Sequence, residues 1–286
     1  MTQPLLEVKN LVVEFSGRRG TLRALDQVSF AIAPGEILGV VGESGAGKSL
    51  TGAAIIGLID PPGRIAGGEI VLQGQRIDNL NQEQMRAIRG RRIGAIFQDP
   101  LTSLNPLYTI GQQLTQTILT HLPLTPAQAR ERAIQLLEDT GIAAAAQRLH
   151  HYPHQFSGGM RQRVVIALAL AAEPRLILLD EPTSHLDMNH RLEVLELISR
   201  LNCERGVAIV MVAHDLSLAA EFFPRLIMLD AHGRIAADGS PAEVLREPTI
   251  ESVYHCRVGV HPDPECGALR VFPKRTRAYT QVGPKK

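Results

Sequence analysis

The sequence predicts an α/β fold in which helices cover a mostly parallel sheet. Continuous apolar runs at residues 37–41, 176–179 and 207–213 are typical of strands that are buried on both faces, and helical segments separate them. Strands and helices that alternate along a chain in this way form parallel sheets. A glycine-rich segment at residues 42–49 follows the first run directly and predicts a strand, a loop and a helix start.

The chain begins differently, with an antiparallel β-subdomain. Apolar and polar residues alternate between residues 8 and 15 and again between residues 28 and 32, which predicts two half-buried strands. A further strand pair is predicted around residues 70–72 and 93–97.

The sequence predicts an α-helical subdomain inserted between about residues 98 and 173. Inside it, Thr125 and Gln128 have the spacing of a capping box, and Gly141 is placed to end the helix that starts there. After Ser157 an apolar helix is predicted to run to Pro174. Another helix is predicted over about residues 191–202.

The composition is that of a globular chain with room for a large core. The 286 residues are enough for about two domains or one large one. With 44% hydrophobic and 21% charged residues, disorder as the main state is excluded. The formal net charge of +1 gives no global reason to expect nucleic acid or an anionic membrane as the main partner. The aromatic fraction of 4% argues against an aromatic-lined sugar or single-strand binding surface.

We expect the chain to work inside the cell. Its first ten residues lack the basic and then apolar pattern of a secretory signal. The longest apolar run covers residues 164–172, far short of the ~20 residues that a spanning helix needs. Cys203, Cys256 and Cys266 are odd in number and widely spaced, which suits reduced thiols.

Residues 42–49 have the Gly-x4-Gly-Lys-Ser spacing of a phosphate-binding loop. The backbone amides of such a loop point at phosphate oxygens, and the helix N-terminus adds partial positive charge. Lys48 then neutralises the β and γ phosphates, and the Ser49 hydroxyl ligates Mg²⁺. A Rossmann site is excluded because the motif ends in Gly-Lys-Ser instead of a third glycine. The loop predicts a P-loop NTPase core, with the candidate ATP-binding residues Gly42, Glu43, Ser44, Gly45, Ala46, Gly47, Lys48 and Ser49.

A second centre of this chemistry is predicted at the end of the strand at residues 176–179. Asp180 is placed to hold the Mg²⁺ shell, and Glu181 is placed to polarise the attacking water as a general base. A pair of surface acids would have the same local sequence, but the phosphate-binding loop in the same chain favours the catalytic interpretation.

Further motifs resemble the ATP-binding subunit of ATP-binding cassette (ABC) transporters over nearly the whole chain. Residues 156–162 resemble the family's signature loop, usually Leu-Ser-Gly-Gly-Gln, and depart from it at the first and fifth positions. Ser157, Gly158 and Gly159 form an anion cradle at a helix N-terminus. The resemblance implies that this cradle caps the ATP bound by the opposite subunit of a head-to-tail dimer.

Other residues match single positions of the family. Gln98 resembles the Q-loop glutamine that touches Mg²⁺ and water, and His214 resembles the switch histidine that contacts the γ-phosphate. Residues 184–187 resemble the D-loop, with His185 where alanine is usual. Phe15 occupies the place of the aromatic residue that stacks on adenine, although a phenylalanine in an alternating strand is equally compatible with a core position.

Within the family, the chain resembles two groups of importer cassettes. Residues 42–45, 57–64, 97–106 and 152–155 resemble dipeptide, oligopeptide and nickel importer cassettes. Downstream segments, at residues 187–197 and 261–264, are more similar to ferric-siderophore and haem importer cassettes. The cysteine-rich C-terminal motif common in dipeptide cassettes is absent. Peptide, nickel or another chelated metal, and an iron siderophore therefore stay open as cargo.

The resemblance also implies a domain plan and a set of partners. An ABC ATPase domain is expected over residues 1–240, followed by a C-terminal extension over 241–286 that ends in a loose basic tail. Expected partners are a second ATPase subunit in a homodimer or heterodimer, two transmembrane permease subunits and, through them, a periplasmic or extracellular solute-binding protein. The subunit would lie peripherally on the cytoplasmic face of the inner membrane, without nucleic acid.

Two other function classes are weaker. A soluble cassette ATPase acting on ribosomes or DNA would use Arg89, Arg91 and Arg92 as a phosphate patch. By family resemblance, such proteins usually join two cassettes or carry long coiled-coil inserts, which this chain lacks. A regulatory nucleotide binder without turnover would typically lack the acid at Glu181.

Overall fold

The computed structural model describes residues 3–18, 20–97, 103–184 and 186–274. Gln98, His185 and the basic tail after residue 274 therefore lie outside the described residues. Across the described residues, no helix combines the length and the apolar character that crossing a membrane requires.

The elements alternate as the sequence predicts. The described strands are β1 (Leu6–Gly17), β2 (Gly20–Ile32), β3 (Ile37–Gly42), β4 (Gly63–Leu72), β5 (Gln75–Arg76), β6 (Ile93–Ile96), β7 (Leu176–Asp180), β8 (Ala208–Val212), β9 (Arg225–Leu229), β10 (Ile235–Gly239), β11 (Val258–Pro262) and β12 (Leu269–Pro273). The described helices are α1 (Lys48–Ile55), α2 (Gln82–Ile88), α3 (Ile110–His121), α4 (Pro126–Asp139), α5 (Ala145–Arg148), α6 (Gly158–Leu170), α7 (Met188–Arg205), α8 (Leu216–Phe222), α9 (Pro241–Val244) and α10 (Glu247–Tyr254).

The larger sheet has the strand order β10-β9-β3-β8-β7-β6, and all neighbours in it are parallel except the edge strand β10. Every residue of β3 is buried, as its continuous apolar sequence predicts. Because the strands are parallel, the carboxyl ends of β3, β7 and β8 meet at one edge. The α/β fold with a mostly parallel sheet is thus confirmed, and this edge is where the predicted site residues follow their strands.

The smaller sheet is antiparallel, with the order β2-β1-β4-β5. The predicted strand pair of residues 70–72 and 93–97 is wrong, because β4 pairs with β1 whereas β6 pairs with β7 in the parallel sheet. The burial patterns give the physical reason. Much of β4 is partly exposed, whereas three of the four residues of β6 are buried, so the two strands suit different sheets.

Two hydrophobic cores cover the two faces of the parallel sheet. Ile177 and Leu179 point into the core that the inserted helices complete, whereas Leu176 and Leu178 point into the core shared with the antiparallel sheet. Each buried leucine or isoleucine side chain contributes about 1.5–3 kcal/mol relative to an exposed one. The strand β7, which ends at Asp180 and leads into Glu181, is therefore packed on both faces.

The inserted helices start as predicted and end at different residues. The Thr125 hydroxyl accepts from the Gln128 amide at 3.3 Å, and Gly141 adopts φ +77° after the end of α4. α6 ends at Leu170 rather than at Pro174 because the chain already turns towards β7, with Glu173 at φ +56°. α7 is longer than predicted because Asp187 caps its N-terminus.

The C-terminal region is structured although its sequence pattern is weak. Beyond Pro241, α9, α10 and the β11–β12 hairpin bury Val244, Ile250 and Val253 in the core of the inserted helices. These elements are only four to eight residues long, too short to show a clear period. β9 and β10 were likewise not predicted.

Candidate functional site

The loop between β3 and α1 needs glycine at both of its ends. Gly42 has φ +150°, and a Cβ atom there would lie 2.5 Å from the Leu229 carbonyl oxygen. Gly47 has φ +90°, and a Cβ atom there would lie 2.5 Å from Leu25 Cδ2. Only glycine fits such close approaches in a left-handed conformation. The loop is therefore pinned between the two sheets.

The rest of the loop exposes its tip. Ser44 and Gly45 are exposed, whereas Ala46 is buried and its amide donates to the Glu43 carbonyl at 3.2 Å. The loop leads directly into the N-terminus of α1, where the first helical amides are free of intrahelical partners. Such free amides at a helix N-terminus are suited to phosphate oxygens.

Lys48 is almost completely buried beneath this loop. Its Nζ atom donates to the carbonyl oxygens of Gly42 and Glu43, both at 2.9 Å. Burial lowers the pKa of Lys48, and the charges of Glu181 and Asp180 partly oppose that shift. A buried cation held by neutral carbonyls is complemented by an anionic ligand such as a phosphate group.

Ser49 of the phosphate-binding loop and Asp180 at the end of β7 are in direct contact. The Ser49 hydroxyl donates to Asp180 Oδ1 at 2.8 Å, so the first turn of α1 touches the end of β7. Burial raises the pKa of Asp180, because the ionised carboxylate loses hydration there. A hydroxyl and a desolvated carboxylate are hard oxygen donors, and Mg²⁺ prefers such ligands. These two residues therefore fit the metal.

Glu181 is buried and contacts His214. The His214 Nε2 atom is in hydrogen-bond contact with Glu181 Oε1 at the carboxyl ends of β7 and β8. Glu181 also has φ +49°, an uncommon conformation for a residue other than glycine and one that concentrates at functional sites.

The two adjacent acids open onto different cavities. Asp180 lines a cavity of about 390 Å³ together with Ser49 and Phe15. Glu181 lines another cavity, of about 250 Å³, together with His214. Their separate surroundings suit the separate roles that the sequence assigns to them.

The signature segment is only partly exposed. Ser157 caps α6, its Oγ atom accepting from the Met160 amide at 3.4 Å, and both Ser157 and Gly158 are exposed. Gly159 is buried, and a Cβ atom there would lie 2.5 Å from the His190 ring. The exposed part of the predicted cradle is therefore Ser157 and Gly158, with Gly159 packed beneath it.

Phe15 is half-buried on β1. Its ring is close to Gly63, where a Cβ atom would lie 2.6 Å from Phe15 Cε1. The ring packs against the core beside the antiparallel sheet and also lines the cavity next to Ser49. Adenine stacking by Phe15 stays a prediction, as do the roles of Gln98 and His185, which lie outside the described residues.

Sequence reasoning missed Tyr254. This residue of α10 lies beside the backbone of Gly42, with its hydroxyl buried, and burial raises its pKa to about 12. The C-terminal segment therefore packs against the base of the phosphate-binding loop. No local pattern could have indicated a contact between residues so far apart in the chain.

A family model described as "ABC transporter" matches residues 25–184. The oligopeptide transport ATP-binding protein OppD of Bacillus subtilis is 43% identical over 245 residues, covering 85% of this chain and 68% of OppD. The dipeptide transport ATP-binding protein DppD of Escherichia coli is 41% identical over 244 residues, covering 85% of this chain and 74% of DppD.

A solved structure agrees with these relatives. The dimeric, post-hydrolysis state of the ATP-binding cassette MJ0796 bound to ADP and Pi is 29% identical and has a TM-score of 0.73. The match covers 82% of this chain and 98% of that one. This chain therefore belongs to the ABC transporter family and is one of its ATP-binding, ATP-hydrolysing subunits.

Proposed function

We propose that this chain energises the import of peptides across a membrane by binding and hydrolysing ATP. The contact between Ser49 and Asp180 carries the mechanistic part, because it joins the phosphate-binding loop to the predicted catalytic strand. The buried Lys48 and Glu181 flank that contact along the chain and complete a site for a triphosphate.

Each residue has a chemical role in this proposal. The loop amides and Lys48 bind the β and γ phosphates and offset their charge in both the ground state and the transition state. Ser49 and Asp180, with Gln98, hold Mg²⁺, which when bound neutralises charge on the phosphate oxygens. Glu181 accepts a proton from the attacking water, and His214 holds the Glu181 carboxylate and contacts the γ-phosphate.

The active unit is a head-to-tail dimer, with the same chain or a paralogue as the second ATPase subunit. The dimeric MJ0796 cassette supports this assembly. Ser157 and Gly158 are exposed at the N-terminus of α6 and are available to a nucleotide bound by the opposite subunit. Phe15 contributes to adenine binding on the chain's own side.

Two permease subunits anchor this dimer peripherally at the cytoplasmic face of the membrane. A solute-binding protein outside the membrane delivers the cargo to them. The names of the relatives favour peptides over nickel or a ferric siderophore as that cargo, since OppD and DppD are oligopeptide and dipeptide transport proteins.

The experiment compares uptake in cells whose own copy of this gene is replaced by the Lys48→Ala variant. We expect labelled dipeptide and oligopeptide uptake to fall to background, while uptake of nickel and of ferric siderophore stays unchanged. The Lys9→Ala variant, which alters an exposed lysine on β1, is the matched control and should transport normally. Loss of nickel or siderophore uptake with normal peptide uptake would overturn the cargo assignment.

A further inference from the structure

A cavity rich in arginine lies at the amino ends of the parallel strands. Its volume is about 750 Å³, and it is lined by Arg91, Arg92, Arg132, Arg175, Arg205 and Glu173. Arg92 immediately precedes β6, and Arg175 immediately precedes β7, so the strand starts bring the two side chains to one edge.

This edge is opposite the nucleotide site. Asp180 ends β7, whereas Arg175 precedes its first residue, and five residues of strand span about 13 Å from first to last. The cavity is therefore separate from the site formed by Lys48, Ser49 and Asp180.

Two of the arginines are held in place by carbonyl groups at the end of α6. Arg132 Nε donates to the Ala171 carbonyl at 3.0 Å, and Arg91 Nη1 donates to the Ala172 carbonyl at 2.8 Å. Such anchors reduce the entropy that the side chains lose when they bind a ligand. The guanidinium groups are thus oriented in advance.

These hydrogen bonds do not use all the N–H donors of the arginine side chains. Arg132 Nη1 pairs with Glu173 at 2.9 Å, while its Nη2 atom is buried and has no hydrogen-bond partner among the described residues. Arg175 is exposed, and none of the described residues forms an ion pair or hydrogen bond with its side chain. The donors of Arg175 are therefore available to a ligand in the cavity, whereas Arg132 Nη2 is a buried donor whose lack of a partner is costly.

The charge around the cavity is strongly positive although the whole chain is nearly neutral. Five arginines and a single carboxylate, Glu173, line the described cavity. Asp139 offsets the positive charge of one further arginine, because it contacts Arg205. The surplus of guanidinium groups favours an anion with more than one negative charge, and guanidinium forks match phosphate geometry in particular.

We propose that this cavity binds a small, soluble anion that carries two or more phosphate groups. The cavity is also lined by the apolar residues Leu170, Pro174 and Val207, which suits a small molecule better than a nucleic acid backbone. Of the three arginines that a nucleic acid site would use, only Arg91 and Arg92 line this cavity. Arg89 is directed inwards, donating to the carbonyls of Ile56 and Gly57 at 2.8 Å each, and does not line the cavity.

The test uses the full chain with inorganic tripolyphosphate as the probe. The chain carries Lys48→Ala, so that tripolyphosphate binding at the phosphate-binding loop is weakened. Isothermal titration calorimetry should detect one binding site. Adding Arg91→Gln and Arg175→Gln should weaken the affinity at least tenfold. Adding Arg246→Gln, at an exposed arginine on another surface, should leave it unchanged. The melting temperature of each variant identifies any that fails to fold, and Arg175→Gln alone removes no hydrogen bond or ion pair among the described residues.

Two results would overturn the proposal. One is tripolyphosphate binding that is absent, or that Arg91→Gln and Arg175→Gln leave intact, which would leave these arginines without a role in binding phosphate. The other is cosedimentation with phosphatidylglycerol vesicles that these substitutions abolish while tripolyphosphate does not bind, which would assign the arginines to a lipid surface.

Discussion

His190 lies directly against Gly159, so that a Cβ atom at residue 159 would come within 2.5 Å of the His190 Cδ2 atom. The Nδ1 atom of the ring contacts both carboxylate oxygens of Asp187 at 2.8 Å, which favours this position of the ring. Asp187 in turn caps α7 by accepting from the His190 amide. Thus the histidine links the start of α7 to the start of α6, where the predicted signature residues lie.

This packing predicts that the effect of Gly159→Ala on the free energy of unfolding depends on the residue at position 190. Gly159→Ala should destabilise the chain by about 1–3 kcal/mol, because the added methyl group collides with the His190 ring. In a His190→Ala background the same substitution should be neutral or stabilising, since alanine is favoured over glycine in a helix by up to about 1 kcal/mol. Urea unfolding of the four variants measures the coupling. An equal cost in both backgrounds would show that His190 does not enforce glycine at residue 159.

Gly158 is the better position for testing whether the signature segment acts on the opposite subunit. A Cβ atom at residue 158 meets nothing within 4 Å in this chain, so Gly158→Ala is the matched control for Gly158→Asp. The aspartate should block closure on ATP by repulsion between like charges, whereas the alanine should retain turnover. An aspartate variant as active as the alanine variant would remove this segment from the ATP site.

Mixed dimers then show whether the signature segment acts on the nucleotide of its own chain or on that of the opposite subunit. When Gly158→Asp is on one chain and Lys48→Ala on the other, both changes fall in one composite site and the second site stays intact. When both changes are on one chain, both sites are damaged, and ATPase activity should be lost. We expect residual activity only in the first arrangement, measured on purified, differently tagged dimers. Equal activities would contradict a cradle that acts across the dimer.

Asp180→Asn should stabilise the metal-free chain at neutral pH while it abolishes Mg²⁺-dependent turnover. Burial raises the pKa of Asp180 above its ordinary value of 3.8, so the folded state disfavours the ionised form. The destabilisation is absent below pH 3.8 and grows until the pH exceeds the raised pKa. Unfolding free energies in EDTA from pH 3 to 8 should therefore show an advantage of the variant that increases with pH and then levels off. An advantage confined to low pH would contradict this assignment.

The sequence was sufficient where the relevant contacts are local or follow from strand direction. The continuous apolar run of β3 and the glycine spacing after it predict the loop, because both are consecutive in the chain. The proximity of Ser49 and Asp180 follows from parallel strands, whose carboxyl ends share one edge.

Contacts between distant elements were beyond the reach of sequence patterns. The sequence predicts Gly159 as part of an anion cradle and gives no sign that His190, which belongs to another helix, covers it. The predicted pairing of β4 with β6 is wrong because apolar character does not specify a partner strand. Tyr254 belongs to a helix of eight residues, and nothing around it in the sequence indicates that it reaches Gly42.

In the proposed mechanism Glu181 acts as the general base for ATP hydrolysis, and the steady-state ATPase rate of Glu181→Gln shows whether it does. The amide keeps the shape of the side chain but cannot accept the proton, so turnover should fall at least a hundredfold while ATP affinity is retained. Glu138→Gln, which changes an exposed glutamate on α4, is the control and should hydrolyse ATP at the normal rate. A stable ATP-bound dimer on size-exclusion chromatography should accompany the loss. Unchanged turnover in Glu181→Gln would contradict the account.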